Sequence, residues 1–253
     1  MVRLCAPKGR RLTARRLHVA SLPPDGGPIV LDEAASRHVR VLRLRPGDRL
    51  ELFDGLGRSA KARVESIGES VTCQSEPSRL TGARHATLVL VLGLPKGSKL
   101  DECIRMATEL GVHEVALMQA ERSVPRWDET RAQAKLDRLT RIAVEAAAQC
   151  ERADVPRIHG PRSCGELLGA FPPEARGVIF GARAEAFLEF SAIPEQVWCA
   201  VGPEGGFSDT ELASFETAGF VLASLGPNIL RVDTAVAAAL TVIRDRVERL
   251  QPR

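Results

Sequence analysis

The stretch VGPEGGFSDTEL, Val201 to Leu212, sets three glycines and a proline between an apolar run and a helix start. Upstream, QVWCAV (196–201) reads as a buried strand. Downstream, Ser208 and Glu211 make an S-x-x-E capping box, which fixes the start of a helix independently of periodicity. A glycine turn at the end of a strand lets a ligand approach the backbone, and it also serves as a plain strand-to-helix connection. The order G-P-E-G-G matches neither the GxGxxG dinucleotide fingerprint nor the GK[ST] of a phosphate-binding loop. A polyphosphate is therefore disfavoured here.

A second turn of the same kind follows in LGPNILRVDTAVAAAL (225–240), again strand, Gly-Pro, apolar residues and helix. Two such turns at the carboxyl ends of two strands converge on one crevice, at the edge where open parallel sheets bind ligands. Leu225, Ile229 and Leu230 would wall an apolar slot. Backbone groups of Gly202, Gly205, Gly226 and Ile229 would pair with the edges of a heterocycle. That describes a nucleoside site without a phosphate cradle. An adenosine joined to an amino acid, as in S-adenosylmethionine (SAM), fits it.

Around these turns the chain from residue 86 onward alternates strands with helices. ATLVLVLGL, VHEVALMQ, VPRIH, RGVIFGA, QVWCAV and FVLASLG read as strands. SKLDECIRMATELG reads as a helix with Ser98 as N-cap and Gly111 past its end, and RAQAKLDRLTRIAVEAAAQCER (131–152) as a long helix. This rhythm predicts an α/β fold with a parallel sheet covered on both faces. Residues 1–76 read differently. One helix is expected in LDEAASRHVRVLRL (31–44), among short strands separated by glycines, which suggests a small β-barrel. The polar, aperiodic segment 77–85 is the expected linker, giving domains at 1–76 and 86–253.

The 253 residues carry 35 Lys+Arg against 32 Asp+Glu, unevenly distributed. Residues 1–76 hold 14 basic against 9 acidic side chains, a net of +5. The run Arg3, Lys8, Arg10, Arg11, Arg15 and Arg16 precedes the first acid, Asp25, and is either a solvated tail or a phosphate-contacting arm. Six scattered cysteines without a CxxC pair suit reduced thiols in the cytoplasm, and neither a secretory signal nor a membrane span is read. No Cys/His spacing suggests a metal site.

The chain resembles the bacterial ribosomal RNA (uracil-N3)-methyltransferases, a group within the SPOUT class of knotted RNA methyltransferases. LPKG (94–97), ATELGV (107–112), ERSV (121–124), RIAVEAAAQCER (141–152), VGPEGGFS (201–208) and LGPNILRVDTA (225–235) carry the resemblance, collinear over most of 86–240. It departs from the family pattern at Asn228, where Arg is expected, at Leu139 for Trp, at Ala148 for Glu, and at Val232-Asp233 for Thr-Glu. The resemblance implies a deep trefoil knot, a homodimer, a PUA-like RNA-binding domain over 1–76, SAM as cofactor and small-subunit ribosomal RNA as partner. It adds Gly181, Val201, Pro203, Glu204, Gly206 and Thr234 to the expected cofactor contacts, although Glu204 would equally brace its own turn.

Methylating N3 of uracil needs an electrophilic methyl group and a nitrogen that has lost its proton. Asp233 is the candidate general base, or else a helix cap, and Arg231 the candidate stabiliser of charge on O2 and O4, or else an ion-pair partner. The resemblance raises Glu145, Gln149 and Arg152, spaced along one helix face, to contacts with RNA or a partner subunit, with Arg122 bordering the substrate. The chain has no Tyr, 8 Phe and 2 Trp, which argues against base stacking and for a shape-and-phosphate mode through Arg15, Arg16, Arg37, Arg40 and Arg43. Two alternatives stand beside this reading. One is a ribose or guanine methyltransferase of the same class, against which the carboxylate in RVDT (231–234) argues; the other is a non-catalytic RNA-binding protein with a nucleoside pocket.

Overall fold

Apolar residues in alternation build two separate sheets in this chain, and the computed structural model describes them over residues 15–81, 86–181, 184 and 187–250. The chain divides into two units, Met1–Thr81 and Gly82–Arg253. The first basic residues of the amino terminus, Arg3 to Arg11, and Cys5 lie outside the described residues.

The first unit holds strands β1 (Arg16–His18), β2 (Gly27–Val30), β3 (Arg49–Phe53), β4 (Arg58–Ile67), β5 (Val71–Ser75) and β6 (Arg79–Leu80), with helix α1 (Glu33–Val41). The sheet runs β1-β3-β4-β5-β2, and β6 pairs with β4. Strand β4 alternates buried Ala60, Ala62 and Val64 with exposed Lys61 and Arg63, which puts one face on the core. Val39 of α1 packs into the same cluster as Leu52, Val64, Val71 and Cys73. Asp32 caps α1 by accepting from the Ala35 amide at 2.7 Å. The short β2, with glycine and proline at its start, gives almost no periodic signal in the sequence.

The second unit is built from β7 (Thr87–Gly93), α2 (Lys99–Glu109), β8 (Glu114–Met118), α3 (Glu129–Gln149), β9 (Arg157–Arg162) and α4 (Cys164–Gly169), followed by β10 (Arg176–Phe180), β11 (Gln196–Val201), α5 (Asp209–Thr217), β12 (Val221–Ala223) and α6 (Val232–Arg249). Its six strands pair in parallel in the order β12-β10-β11-β7-β8-β9. Both faces are covered, and successive residues of one strand serve opposite cores. Leu88, Leu90 and Leu92 of β7 join Ile104, Leu139 and Leu240 on one side; Val89 and Val91 join Trp198, Phe215 and Phe220 on the other. Leu139, which departs from the family pattern, is fully buried in the first of these cores.

After β9 the chain crosses to the other side of β7. There β11 inserts between β7 and β10, and β12 returns outside β10. That order is consistent with the implied knot. Helix α3 stops earlier than its periodicity suggests. Glu151 takes a φ of 62°, in the left-handed region, so the chain reverses before Arg152.

Candidate active site

The first glycine turn leaves β11 and is held from three directions. Gly206 donates to the Pro203 carbonyl at 2.8 Å and takes a φ of 69°, which a side chain would strain. The Glu204 carboxylate accepts from the Lys96 amide at 3.2 Å, tying the turn to the loop between β7 and α2. Arg122 donates to the carbonyls of Gly205 and Phe207, at 3.2 and 3.0 Å. The capping box then starts α5: the Ser208 hydroxyl accepts from the Glu211 amide, and the Glu211 carboxylate accepts from the Ser208 amide.

The second turn leaves β12. Ser224 Oγ accepts from the Gly226 amide at 3.1 Å, and Gly226 takes a φ of 109°. Between the two turns lies the end of β10, where the Gly181 amide donates to the Ala223 carbonyl at 3.2 Å. Arg231 occupies the N-cap position of α6 without a side-chain cap, so Asp233 lies in the first turn of that helix, where the dipole favours a carboxylate.

Together these segments enclose a cavity of about 780 Å³, at the carboxyl ends of β10, β11 and β12. Both glycine turns line it, with Phe180 and Gly181 between them and Leu222, Leu225, Ile229 and Leu230 as apolar walls. Of the residues the sequence put forward for cofactor contact, Gly181, Val201 to Gly206, Leu225, Gly226, Ile229 and Leu230 line the cavity. Thr234 is exposed and lies outside that lining. Arg231 and Arg122 border it, as does Asn228. Asp233 is not among the lining residues. Its Oδ1 is shielded from solvent, lacks a hydrogen-bond partner, and lies 3.9 Å from Lys99 Nζ.

Lys99 is the residue that sequence reading missed. It lines the cavity from the start of α2, with its ammonium also 3.7 Å from Glu204. The only signal in the sequence was its place just after the carboxyl end of β7, on the sheet edge that carries the site. Cys103, one helical turn further on, is fully buried, and burial together with the nearby Asp233 carboxylate pushes its thiol up to about 12. Burial likewise raises Cys164 to about 11 and Cys199 further still. Such thiols stay protonated and serve as packing. Among the described residues no group of three or more His, Cys, Asp or Glu could hold a metal ion, and no helix is long and apolar enough to cross a membrane.

Two of the arginines put forward for contact with RNA or a partner subunit have their guanidinia engaged within the chain. Arg152 does not share a helix face with Glu145 and Gln149, because α3 has ended; its guanidinium donates to the carbonyls of Thr108 and Val112 and to Asp154. In the first unit, the Arg16 side chain is only 1% exposed, 3.5 Å from Glu51 and stacked 5.0 Å from the Phe53 ring. Glu145 and Gln149 are exposed on α3. Arg15 pairs with Asp48 and Arg37 with Glu33, while Arg40 donates to the carbonyls of Gly68 and Glu69 and Arg43 is exposed.

A parallel sheet whose strand order reverses, with a cavity of glycine turns at its carboxyl edge, defines an α/β protein of the nucleoside-binding type. The chain belongs to the RNA methyltransferase family: a family model for an RNA methyltransferase domain matches residues 83–244, and one for an RNA methyltransferase PUA domain matches 31–74. It is 32% identical over 240 residues to the ribosomal RNA small subunit methyltransferase E of Mycobacterium bovis, covering 92% of each chain. It is also 32% identical over 233 residues to the protein of that name in Bacillus subtilis, covering 88% of this chain and 91% of that one. Among solved structures it is similar to a ribosomal RNA small subunit methyltransferase E of Neisseria gonorrhoeae bound to SAM. That likeness has a TM-score of 0.85 and 26% identity, over 92% of this chain and 97% of the other.

Proposed function

We propose that this protein methylates N3 of a specific uridine in 16S ribosomal RNA, with SAM as methyl donor. The observation that carries the reading is the convergence of two glycine turns on one cavity of about 780 Å³ with apolar walls. The size and chemistry fit a nucleoside joined to an amino acid. SAM would supply an electrophilic methyl group. Phe180 and the leucines would exclude water, and the backbone groups of Gly202, Gly205, Gly226 and Ile229 would orient the heterocycle.

Arg231, at the cavity's border, is proposed to stabilise charge developing on O2 and O4. Asp233 is proposed to receive the N3 proton, past its neighbour Lys99. A general base contributes about 10²–10⁴-fold, near 3–5 kcal/mol, whereas positioning two reactants is worth roughly 7–11 kcal/mol. The turns that align methyl group and nitrogen therefore matter more than either side chain. Thr234 is kept with them as an outer contact. The unit before residue 82 is proposed to contact RNA, with Arg15, Arg37, Arg40, Arg43 and, on α3, Glu145 and Gln149. The protein is further proposed to act as a cytoplasmic homodimer. In support, Ile229 and Leu222 leave apolar side chains exposed beside the cavity.

The test is to incubate purified protein with labelled SAM and small-subunit RNA from cells lacking the gene, then digest the RNA to nucleosides. Label in 3-methyluridine is expected. Label in a 2′-O-methylated nucleoside or a methylguanosine would move the protein to another branch of the family. No incorporation would leave the non-catalytic reading.

A further inference from the structure

The charges at the cavity are arranged more specifically than nucleoside binding requires. Lys99 shares its ammonium between Glu204, at 3.7 Å, and Asp233, at 3.9 Å. These three side chains come from α2, the first glycine turn and α6, so they meet only in the folded chain. Each side chain is no more than about a third exposed, at 30%, 28% and 24%. Asp233 adjoins the lining, and the charged groups that line the cavity beside Lys99 and Glu204 are placed differently. Arg122 is occupied by the carbonyls of Gly205 and Phe207, Arg231 is exposed at the N-cap of α6, and Asp209 begins α5.

We propose that Lys99, Glu204 and Asp233 form a counter-ion cluster of net charge −1 that makes the cavity prefer a cationic sulfonium over a neutral sulfide. One positive and two negative groups give that net charge. Lys99 is the positioning member: it keeps two carboxylates close without mutual repulsion and limits their combined charge to one. A cavity with both carboxylates and no lysine would hold the sulfonium harder and open under its own repulsion. A cluster of the lysine and one carboxylate would have no net charge to offer.

The chemistry of transfer suits a cluster of this charge. The sulfur–methyl bond breaks, the nitrogen–methyl bond forms, and the N–H proton leaves. One positive charge vanishes from sulfur as another is released from nitrogen. A fixed charge of −1 balances the first before transfer and the second after it, with Asp233 placed to take the proton. Cys103, beneath the cluster, senses the same field: Asp233, Glu102 and Glu204 all add to the rise that burial causes in its thiol, and Lys99 opposes them.

The inference rests on the SAM reading above, and the experiment separates the two. Calorimetry on the full chain would measure affinity for SAM and for S-adenosylhomocysteine, its demethylated product. The two share adenosine, amino and carboxylate groups, so their affinity ratio isolates the sulfonium charge. A unit charge several ångströms away in a partly screened site is worth about fivefold in affinity. Lys99→Met should raise the preference for SAM over S-adenosylhomocysteine about fivefold, and Glu204→Gln and Asp233→Asn should each lower it by a similar factor. Lys99→Arg, which keeps the charge, should leave the ratio unchanged and shows that the site tolerates substitution there. Failure of the wild-type chain to bind either molecule would overturn the SAM reading. Binding of both, with one ratio shared by all the variants, would overturn the counter-ion cluster and leave that reading standing.

Discussion

Glu211 accepts from the backbone amide of Glu121 at 2.9 Å, joining a loop to a helix 90 positions further along the chain. Its other oxygen closes the capping box on the Ser208 amide at 2.8 Å, and the residue is only 4% exposed. One carboxylate thus ties the loop after β8 to the helix that follows the first glycine turn. Glu211→Ala keeps the Ser208 cap but removes the reciprocal half of the box and leaves two amides unsatisfied. Each unpaired amide costs about 1–3 kcal/mol. Urea denaturation should therefore show a loss of about 2–6 kcal/mol with an unchanged slope. A loss below about 1 kcal/mol would mean that water replaces the carboxylate and that the tie is dispensable.

Arg152 predicts a pH dependence. Burial pushes the Asp154 carboxyl up, but the hydrogen bonds and charge of Arg152 outweigh it and hold Asp154 below its usual range. A carboxylate depressed in the folded state contributes stability that is fully present above its unfolded pKa, about 3.9, and is lost as pH falls through the folded value. Arg152→Met takes the guanidinium from a half-buried carboxylate and from the carbonyls of Thr108 and Val112, at a cost of about 3 kcal/mol near neutral pH. Thermal unfolding across pH 3–7 should show the gap between wild type and variant narrowing below about pH 4. A gap independent of pH would place the loss in packing alone.

What the sequence could convey depended on how local the cause was. The strands of the second unit are apolar on both faces, so unbroken runs such as TLVLVLG mark them without tertiary knowledge. The Ser208–Glu211 box is four residues long and is found in place. Sheet order is different: nothing in the composition of β11 says that it inserts between β7 and β10. Only the family resemblance suggested a chain threaded in that way. Lys99 escaped notice because a lysine at a helix start is unremarkable until Glu204 and Asp233, more than a hundred positions away, fold against it. Arg152 misled for the opposite reason. Its spacing from Glu145 fits a helical face, but the positive φ of Glu151 ends that face before it.

Ile229 is 88% exposed while lining the cavity, an expensive place for a branched apolar side chain unless something covers it. If bound SAM provides that cover, Ile229→Ala removes about three carbons of contact. Partial burial of that surface corresponds to about 1–1.5 kcal/mol, or roughly tenfold in affinity. Calorimetry should show SAM binding weakened about tenfold, with the unfolding midpoint of the cofactor-free chain unchanged. Equal affinity would assign the side chain to contact with another macromolecule.

The arginines of the first unit divide by environment into two kinds, and salt can tell them apart. Arg43 is exposed, whereas Arg16 is sandwiched between Glu51 and Phe53. A side chain that neutralises an RNA phosphate contributes about 0.7–0.9 to the slope of log affinity against log salt. Arg43→Gln should lower that slope by close to one contact and leave the unfolding temperature alone. Arg16→Gln should do the reverse, because it exchanges a packed guanidinium for a shorter amide in the core of the sheet and leaves no phosphate contact to lose. Filter binding of small-subunit RNA from 50 to 300 mM salt, beside thermal unfolding of both variants, checks the division. If Arg16→Gln lowered the slope while stability held, its guanidinium would have to leave Phe53 on binding, and the buried position would describe only the free protein.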